Sequence, residues 1–349
     1  MILTSGEIYF IGEVDVASGK QTDYVKIGIV RDGGNGERTT FDRLLEHQTG
    51  NPRRLEVIHV LRTDAVEAIE TSLHHMFSPF RVYGEWLKVD GALLEEIKEK
   101  AFQLSQEMKH LRELFASAED LKNIESIGEK IPPDVESLYW FEKYTDSSIK
   151  VDHCNSAIER YKRFRIEQIS AGQNVEDFIN VQRRSGKTKF DSKAFKEKYP
   201  EIYEQFVIRK PKIRGSFRPT ASDKSTKTLM EVDLQAHRVI EDLLSKIDSP
   251  GNMHNAAEIH DAFLSVKSQL AFAEWETNVS LVQLRILCGT NDGIDGICSW
   301  KRTAYVDEKL DEKSLKDTYP DLVIEFTTMT EETTAYILEN KVAQRTLEN

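Results

Sequence analysis

The sequence predicts an α+β protein with a small three-stranded antiparallel sheet near its N-terminus and flanking helices. Within the first ninety residues, short runs of β-branched and aromatic residues alternate with segments whose apolar residues recur at helical spacing. In addition, the C-terminal half contains two similar segments that each combine helical and strand-like patterns. We therefore expect an N-terminal α+β domain, a helical spacer and a duplicated α+β module.

The first two strands are predicted at residues 7–12 and 24–30, where apolar, β-branched and aromatic residues dominate. The polar residues 15–23 between them favour a hairpin with a loose loop. A short helix is expected over 41–48. It ends at Asn51-Pro52, because a residue that precedes proline avoids the α region.

A third strand is predicted at residues 55–61, which form another apolar run. Asp64 is then placed to cap a helix over about 65–78. Apolar side chains recur at helical spacing within it, at Val66, Ile69, Leu73, Met76 and Phe77.

With these motifs in order, the chain resembles the GIY-YIG endonuclease superfamily, in particular the branch common in phage and mobile-element proteins. The resemblance covers about residues 6–90 and is carried by Ile8-Tyr9, Val25-Lys26-Ile27-Gly28, Arg43-Leu44, Thr49-Gly50-Asn51-Pro52, Glu70-Thr71-Ser72-Leu73-His74 and Gly84-Glu85-Trp86. This chain has Lys26 where the superfamily has its second tyrosine. The glycine-containing segment 31–38 also lengthens the gap before the arginine. The resemblance implies metal-dependent cleavage of DNA.

The residue types suit phosphodiester hydrolysis, which needs an activated water and neutralised phosphoryl oxygens. Glu70 is the expected ligand of Mg²⁺ (or Mn²⁺), since a hydrated hard cation needs only one or two carboxylates. The guanidinium of Arg43 would bind phosphate. His47, four residues later on the same helix face, would donate to the phosphate or move a proton. Tyr9 would orient or activate the water.

Several assignments stay open at this point. Lys26 is either a base whose pKa burial lowers or a point charge for phosphate. Tyr24 and Arg38 are the alternatives to Lys26 and Arg43. His74 either approaches the metal or packs in the core. Glu85 either contributes to the site or has only a structural role. For every one of these residues, the alternative to a functional role is an ordinary position in a strand, in a helix or on the surface.

Length and composition exclude some classes. The 349 residues carry a formal net charge of −12 and favour two or three domains. The three cysteines, at 154, 288 and 298, lie far apart without a Cys-x-x-Cys pair, as is typical of reduced thiols rather than a zinc site. The chain has no apolar run of about 18 residues and no leader with a basic and an apolar region. We expect no membrane contact and a cytoplasmic location.

Positive charge is concentrated in residues 183–228, where 14 Lys and Arg stand against 5 Asp and Glu. Such a block in an acidic protein favours contact with nucleic-acid phosphates. The alternative is a solvated linker. The expected contacts are Arg183, Arg184, Arg209, Lys210, Lys212 and Arg214.

The predicted domains are 1–90 for the nuclease-like part, 91–130 for the spacer, 134–228 for a first repeat and 229–349 for a second. Residues 91–128 have the spacing of a long amphipathic helix, either a spacer or a dimer seam, and Ile131-Pro132-Pro133 breaks the chain after it.

The duplication is predicted from residues 190–206 and 310–326, which share Asp, two Lys, Tyr-Pro and a final Phe at an offset of 120. Each copy is expected to contain a helix, a β-hairpin and a short helix ended by Tyr-Pro. Residues 297–302, with Trp300, Lys301 and Arg302, are similar to the tail of YqaJ-type phage exonucleases. Trp300 either stacks on a base or packs in the core.

These observations predict a metal-dependent endonuclease of GIY-YIG type that nicks or cleaves DNA, with a C-terminal targeting or assembly region and a role in phage defence or phage biology. The expected partners are DNA and a second copy of the chain, bound through the spacer or the repeats. The alternative is a nuclease-like protein that binds nucleic acid without cleavage and uses its repeats as a protein-interaction platform. Lys26 in the tyrosine position favours that alternative.

Overall fold

The computed structural model describes residues 4–33, 38–49, 51–220, 227–248 and 256–339, and these form a mixed α+β protein. The N-terminal elements are β1 (Gly6–Val14), β2 (Gln21–Arg31), α1 (Thr40–Gln48), β3 (Arg54–Thr63), α2 (Val66–Met76), β4 (Arg81–Tyr83), β5 (Trp86–Lys88) and α3 (Gly91–Leu121). The next elements are β6 (Lys130–Ile131), α4 (Val135–Ser170), β7 (Ile179–Arg184), β8 (Thr188–Phe190), α5 (Ser192–Lys198), α6 (Pro200–Gln205), β9 (Val207–Arg214), β10 (Arg218–Pro219), α7 (Leu229–Val232) and α8 (Leu234–Asp248). The last are α9 (Ala256–Cys288), β11 (Gly293–Ile294), β12 (Cys298–Ser299), β13 (Thr303–Leu310), α10 (Glu312–Thr318), α11 (Pro320–Glu325), β14 (Thr327–Met329) and β15 (Thr333–Leu338).

The N-terminal sheet has five antiparallel strands in the order β3-β1-β2-β5-β4, so the prediction of three strands was wrong. The three predicted strands and the two predicted helices are confirmed to within a few residues. The additional strands are the short hairpin β4–β5, whose strands of 3 residues each are too brief to produce an alternating pattern. In register, Lys26 of β2 lies opposite Trp86 of β5.

Asp64 does not cap α2, contrary to the prediction. The N-cap position is Ala65, which makes no side-chain capping bond. The Asp64 carboxylate instead accepts a hydrogen bond of 2.8 Å from the Ser5 hydroxyl and an ion pair of 2.7 Å from Arg112. These two long-range partners are brought to Asp64 by the fold, and local sequence spacing cannot reveal them.

The two faces of the sheet bury different side chains. One face, with Ile8 and Phe10 of β1 and Ile27 of β2, packs on the apolar sides of α2 and α3. The opposite face presents Tyr9 and Ile11 and is covered in part by Leu44 of α1 and by Trp86, the partly buried ring on β5. Alternation along the strands therefore places the main core on one face and Tyr9 and Lys26 on the other, whereas Glu70 lies on α2, the helix that covers the core face.

Helix α3, predicted as a spacer, packs along the sheet with a row of buried side chains that ends at Met108. Helix α9, more than a hundred residues later, inserts Trp275 into the same core. Its ring stacks on Phe115 of α3 at 5.9 Å, and Phe272 stacks on His75 of α2 at 4.1 Å. The helix that carries Glu70 is thus supported from behind by the C-terminal half of the chain.

Among the described residues, the C-terminal strands β7, β8 and β9 of the first similar segment pair with strands of the second, whereas β11 and β12 pair within the second segment. Strand β9 pairs with β13, β8 with β14 and β7 with β15, all antiparallel. The predicted hairpin of the first segment is therefore wrong, because β7 and β8 take their partners from the second segment. The Tyr-Pro dipeptides end α5 and α10, as predicted, with Tyr199 and Tyr319 as the C-cap residues. A second short helix, α6 or α11, then begins at each proline.

Trp300 belongs to the core, with 1% of its surface exposed. Arg302, also 1% exposed, lies over the Trp300 ring and donates to the carbonyls of Ile124 and Gly289 at 2.8 Å each. Base stacking by Trp300 is excluded by this burial. No helix among the described residues has the length and apolar character needed to cross a bilayer.

Candidate functional site

Tyr9 and Gly28 face each other across strands β1 and β2. A side-chain carbon at Gly28 would lie 2.4 Å from the Tyr9 hydroxyl, so only glycine leaves room for the tyrosine ring to cross the sheet. Lys26, two residues earlier, points to the same face. This close approach explains why the Ile-Gly motif needs glycine at position 28, a steric reason that the sequence alone did not reveal.

The Tyr9 hydroxyl lies 3.2 Å from Nε2 of His47. Helix α1 presents His47 because a capping box between Thr39 and Asp42 starts the helix two turns earlier. Burial raises the pKa of Tyr9 above 10.0, and burial together with the charges of Lys26 and Arg43 lowers the pKa of His47 below 6.5. Both groups are consequently neutral near pH 7, and they can share a proton.

Arg43 stands one turn before His47, and its guanidinium lies close enough to the Tyr9 hydroxyl to oppose the rise in the pKa of Tyr9 that burial causes. One terminal nitrogen donates to Glu46 at 2.9 Å, while Nε is shielded from solvent and makes no hydrogen bond within the described residues. Arg38, the alternative to Arg43, donates to the same Glu46. The structure therefore brings both arginines to one carboxylate, but of the two only Arg43 is near enough to Tyr9 to shift its pKa.

Lys26 forms an ion pair with Glu85 of the turn between β4 and β5. Burial opposes ionisation of Glu85, but the contact with Lys26 outweighs it and lowers the pKa of Glu85 below 4.5. Lys26 is thus engaged in an ion pair rather than free at the site. The pair places a fixed negative charge, Glu85, beside the site.

Glu70 is a half-buried carboxyl on α2 that makes no hydrogen bond or ion pair with any residue in the described part of the chain. Burial, and then repulsion from Glu85, raises its pKa to about 8. Arg31 and Lys26 oppose the shift without cancelling it, and Arg31 is itself paired with Glu67. An orphaned carboxyl with this pKa is a favourable place for a cation to displace a proton.

A divalent cation fits these side chains. No group of three or more His, Cys, Asp and Glu side chains placed to hold a metal occurs among the residues that the structure describes. Mg²⁺ does not require one, because it keeps several waters and is held by one or two carboxylates. Glu70 has no hydrogen-bond or ion-pair partner among the described residues, and Glu85 is near enough to raise its pKa, so the two carboxyls suit a hydrated ion.

His74 lies one turn after Glu70 and is buried, with 6% of its surface exposed. Burial, and then the charge of Arg81, lowers the pKa of His74 to about 4. Neither ring nitrogen makes a hydrogen bond of good geometry within the described residues, although the backbone of Ile27 is near. His74 is therefore a neutral packing residue behind the site, and Arg81, which sequence reasoning missed, sets its electrostatic surroundings together with Glu85.

Tyr24, the alternative to Lys26, is partly exposed and pairs with Lys88 at the far end of β2, away from Tyr9. Its register gives no contact with the site. The basic residues of the C-terminal half lie on other elements: Arg183 and Arg184 on β7, and Arg209, Lys210, Lys212 and Arg214 on β9.

The structure thus assembles Tyr9, Lys26, Arg43, His47, Glu70 and Glu85 around one face and edge of the N-terminal sheet. Glu46 and Gly28 complete it. No pattern marks Glu46 in the sequence, and Gly28 was part of a sequence motif without an assigned role. Comparisons of the chain with family models, with characterised proteins and with solved structures give no match.

Proposed function

We propose that the N-terminal domain is a metal-dependent nuclease that hydrolyses phosphodiester bonds in DNA, with a fold of GIY-YIG type over about residues 1–90. The observation that carries the proposal is the juxtaposition of a neutral Tyr9–His47 pair with an unpartnered carboxyl, Glu70, whose pKa is raised to about 8. Phosphodiester hydrolysis needs an activated water, a stabilised leaving oxygen and neutralised charge on the phosphate. The Tyr9–His47 pair can accept the proton of the water, and a cation bound at Glu70 would stabilise the leaving oxygen.

The first step is activation of the attacking water. When the ring proton of His47 is on Nδ1, the Tyr9 hydroxyl donates its hydrogen to Nε2 of His47, and a lone pair of the Tyr9 oxygen can accept a proton. As the water oxygen forms its bond to phosphorus, its proton passes to the Tyr9 oxygen and the Tyr9 proton passes to His47. Histidine then releases the proton to solvent, so both groups return to their starting states.

The third need is charge neutralisation on the phosphate. Arg43 is held at Tyr9 and has a shielded Nε donor without a partner within the described residues, so it can bind a phosphoryl oxygen beside the attacking water. A divalent ion held by Glu70 would polarise the phosphate and stabilise the leaving oxygen. The bond from phosphorus to that oxygen breaks, and the oxygen takes a proton from solvent.

The test is relaxation of supercoiled plasmid with Mg²⁺ and with EDTA, using the full chain. We expect nicking with Mg²⁺ only, and its loss in Glu70→Gln, which keeps the shape and removes the charge. Glu67→Gln on the same helix is the matched control, since Glu67 is paired with Arg31. Nicking by Glu70→Gln at the wild-type rate would overturn the assignment.

A second candidate is favoured by one observation, the Lys26–Glu85 ion pair. It occupies the position where the superfamily pattern has a tyrosine, so the site has one hydroxyl instead of two. A domain with this change would bind nucleic acid without cleaving it and act with the C-terminal segments as an interaction platform. Absence of nicking with either Mg²⁺ or Mn²⁺, together with retained DNA binding, would support this candidate.

We further infer that the C-terminal half arose by duplication. Helices α5 and α10, and also α6 and α11, are separated by 120 residues with identical lengths. Asp191 and Asp311 cap α5 and α10 in the same way. Tyr199 and Tyr319, at equivalent positions, have almost the same backbone angles, φ −129° and ψ 61° against φ −131° and ψ 62°.

Contacts between the two copies support a two-fold relationship. The Asp191 amide donates to the Phe326 carbonyl at 2.9 Å, and the Asp311 amide donates to the Phe206 carbonyl at 2.9 Å. The ring of Tyr199 meets Phe326 edge-on at 6.0 Å, and the equivalent pair of Tyr319 and Phe206 also lies at 6.0 Å. We infer an intrachain pseudo-dimer whose copies exchange strands, and we assign it to targeting of the nuclease domain.

A further inference from the structure

The basic block of the sequence is divided by the fold between two different two-stranded ribbons. The first, here called the β7 ribbon, consists of two successive ladders, residues 179–184 paired with 333–338 and residues 188–190 paired with 327–329. The second, the β9 ribbon, consists of residues 207–214 paired with 303–310. Each ribbon combines one strand from the basic block with one strand from the second copy, so the partner strand decides how much positive charge stays available.

Two cations of the β9 ribbon are engaged by carboxylates. Arg209 donates to Glu308 of the partner strand at 2.9 Å and is also paired with Glu204. Lys212 is paired with Asp307. A cation held in this way must leave its carboxylate before it can bind a phosphate, and the carboxylate left behind repels the same phosphate.

The cations of the β7 ribbon have different neighbours. Arg183 lies opposite Thr334, and Arg184 lies opposite Thr333. Both arginines are exposed and form no ion pair within the described residues. The facing side chains are hydroxyls, which do not neutralise a cation and can themselves donate to phosphate oxygens.

The same pattern continues along the ribbon. Lys189 lies opposite Thr328, and the backbone of Lys187 exchanges hydrogen bonds with Thr330, including an amide-to-hydroxyl bond of 2.8 Å. Both lysines are exposed, and neither forms an ion pair in the part of the chain that the structure describes. Gly186 allows this crossing, because a side-chain carbon there would meet the Thr330 carbonyl oxygen at 1.8 Å.

The carboxylates of the ribbon, Glu331 and Glu332, stand in the break between β14 and β15 and form no ion pair with the four cations. Four cations lie within seven residues: Arg183 and Arg184 at the end of β7, Lys187 in the break after it and Lys189 on β8. Arg183 and Arg184 are neighbours on one strand and therefore point to opposite sides of the ribbon. Successive residues of a strand rise by about 3.3 Å, so the four charges span about 20 Å, which is several phosphates of one DNA strand.

We propose that the β7 ribbon is the surface that binds the phosphate backbone of duplex DNA, through Arg183, Arg184, Lys187 and Lys189, and that the β9 cations Arg209 and Lys212 contribute little. This proposal rests on DNA as the partner of the proposed nuclease. The sequence alone predicted that Arg209 and Lys212 contact DNA in the same way as Arg183 and Arg184. The proposal limits the contacts of these four residues to Arg183 and Arg184.

The test compares two double variants of the full chain that each remove two positive charges from a ribbon, Arg183→Gln with Arg184→Gln, and Arg209→Gln with Lys212→Gln. Binding to a fluorescein-labelled duplex is titrated in EDTA at several salt concentrations between about 50 and about 200 mM. We expect the first variant to weaken binding by about tenfold or more and to flatten the salt slope by about 2, since each lost phosphate contact removes about one unit. The second variant should change affinity by less than about threefold.

Equal losses for the two variants, or a larger loss for the second, would overturn the proposal, as would a wild-type chain that does not bind the duplex. The double variant Lys187→Gln with Lys189→Gln repeats the test at a second position, and thermal melting of each variant checks folding. Binding in EDTA is independent of cleavage. If the β7 ribbon does not bind DNA, Mg²⁺-dependent nicking at low salt is still expected. If the domain is not a nuclease, the two double variants should still differ in their affinity for DNA.

Discussion

The Tyr9 hydroxyl and Nε2 of His47 are 3.2 Å apart, although 38 residues separate them in the sequence. The sheet supplies Tyr9 and the helix that follows it supplies His47, so the pair exists only when both have folded. Both members are neutral near pH 7, because burial raises the pKa of one and lowers the pKa of the other. That combination allows the pair to take a proton from water.

The first prediction concerns this pair. Tyr9→Phe and His47→Ala should each lower the nicking rate by about 100-fold or more, because each interrupts the same proton path. The double variant should be scarcely slower than either single variant, since groups that act as a unit are not additive. Single-turnover nicking of plasmid is the measurement. Multiplicative losses in the double variant would show that the two residues act separately.

The second prediction follows from the pKa of Glu70. Its value of about 8 in the folded protein exceeds the usual 4.5, so the unfolding free energy should fall as pH rises from about 4.5 through about 8. Glu70→Gln removes the titrating group. We expect the variant to melt at a higher temperature than the wild type near about pH 9 and at a similar temperature near about pH 5.

The matching measurement uses Mg²⁺ as the probe. Because the ion must displace a proton from Glu70, Mg²⁺ should raise the melting temperature of the wild type more at about pH 9 than at about pH 6. It should have little effect on Glu70→Gln. An equal shift in both proteins would place the cation elsewhere.

A third prediction separates Arg43 from Arg38. Arg43→Lys keeps the charge and loses the planar fork, so nicking should slow by about 10- to 100-fold, which is about 1.4–3 kcal/mol. Arg38→Lys is the matched control, since Arg38 shares Glu46 but does not contact Tyr9. A greater loss in Arg38→Lys would assign the phosphate contact to Arg38.

A fourth prediction concerns Lys26. Lys26→Ala leaves Glu85 without its cation beside Glu70, so nicking should fall more than in Tyr24→Phe, because Tyr24 makes no contact with the site. Lys26→Met combined with Glu85→Gln removes both charges together and should recover folding stability relative to Lys26→Ala. Thermal melting and plasmid nicking measure the two effects. If Lys26→Ala is fully active and Tyr24→Phe is inactive, then Tyr24, and not Lys26, stands at the position of the superfamily's second tyrosine.

The fifth prediction tests the shared core. Trp275 is buried under the N-terminal sheet, 5% exposed, so Trp275→Ala should cost about 3–5 kcal/mol of stability, measured by denaturant unfolding. Phe102 on α3 is 50% exposed, and Phe102→Ala should change stability by less than about 0.5 kcal/mol. A Trp275 variant as stable as the control would mean that the N-terminal core does not depend on α9.

The sequence by itself determined the local elements of this protein. Alternating and helical spacing placed β1, β2, α1, β3 and α2 to within a few residues, because each signal is contained in one short segment. The order of Tyr9, Arg43 and Glu70 on those elements was likewise readable. The five-stranded sheet could not be predicted, because β4 and β5 are too short to show an alternation of apolar and polar residues.

Only the tertiary structure decided which distant groups meet. It paired Lys26 with Glu85 and placed Trp275 in the N-terminal core, and it left Glu70 without a partner in the part of the chain that the structure describes. It also gave β7 and β9 different partner strands, which neutralise Arg209 and leave Arg183 free of ion pairs within the described residues. Spacing along a chain specifies a local period, whereas desolvation and charge pairing depend on groups that the fold brings from far away.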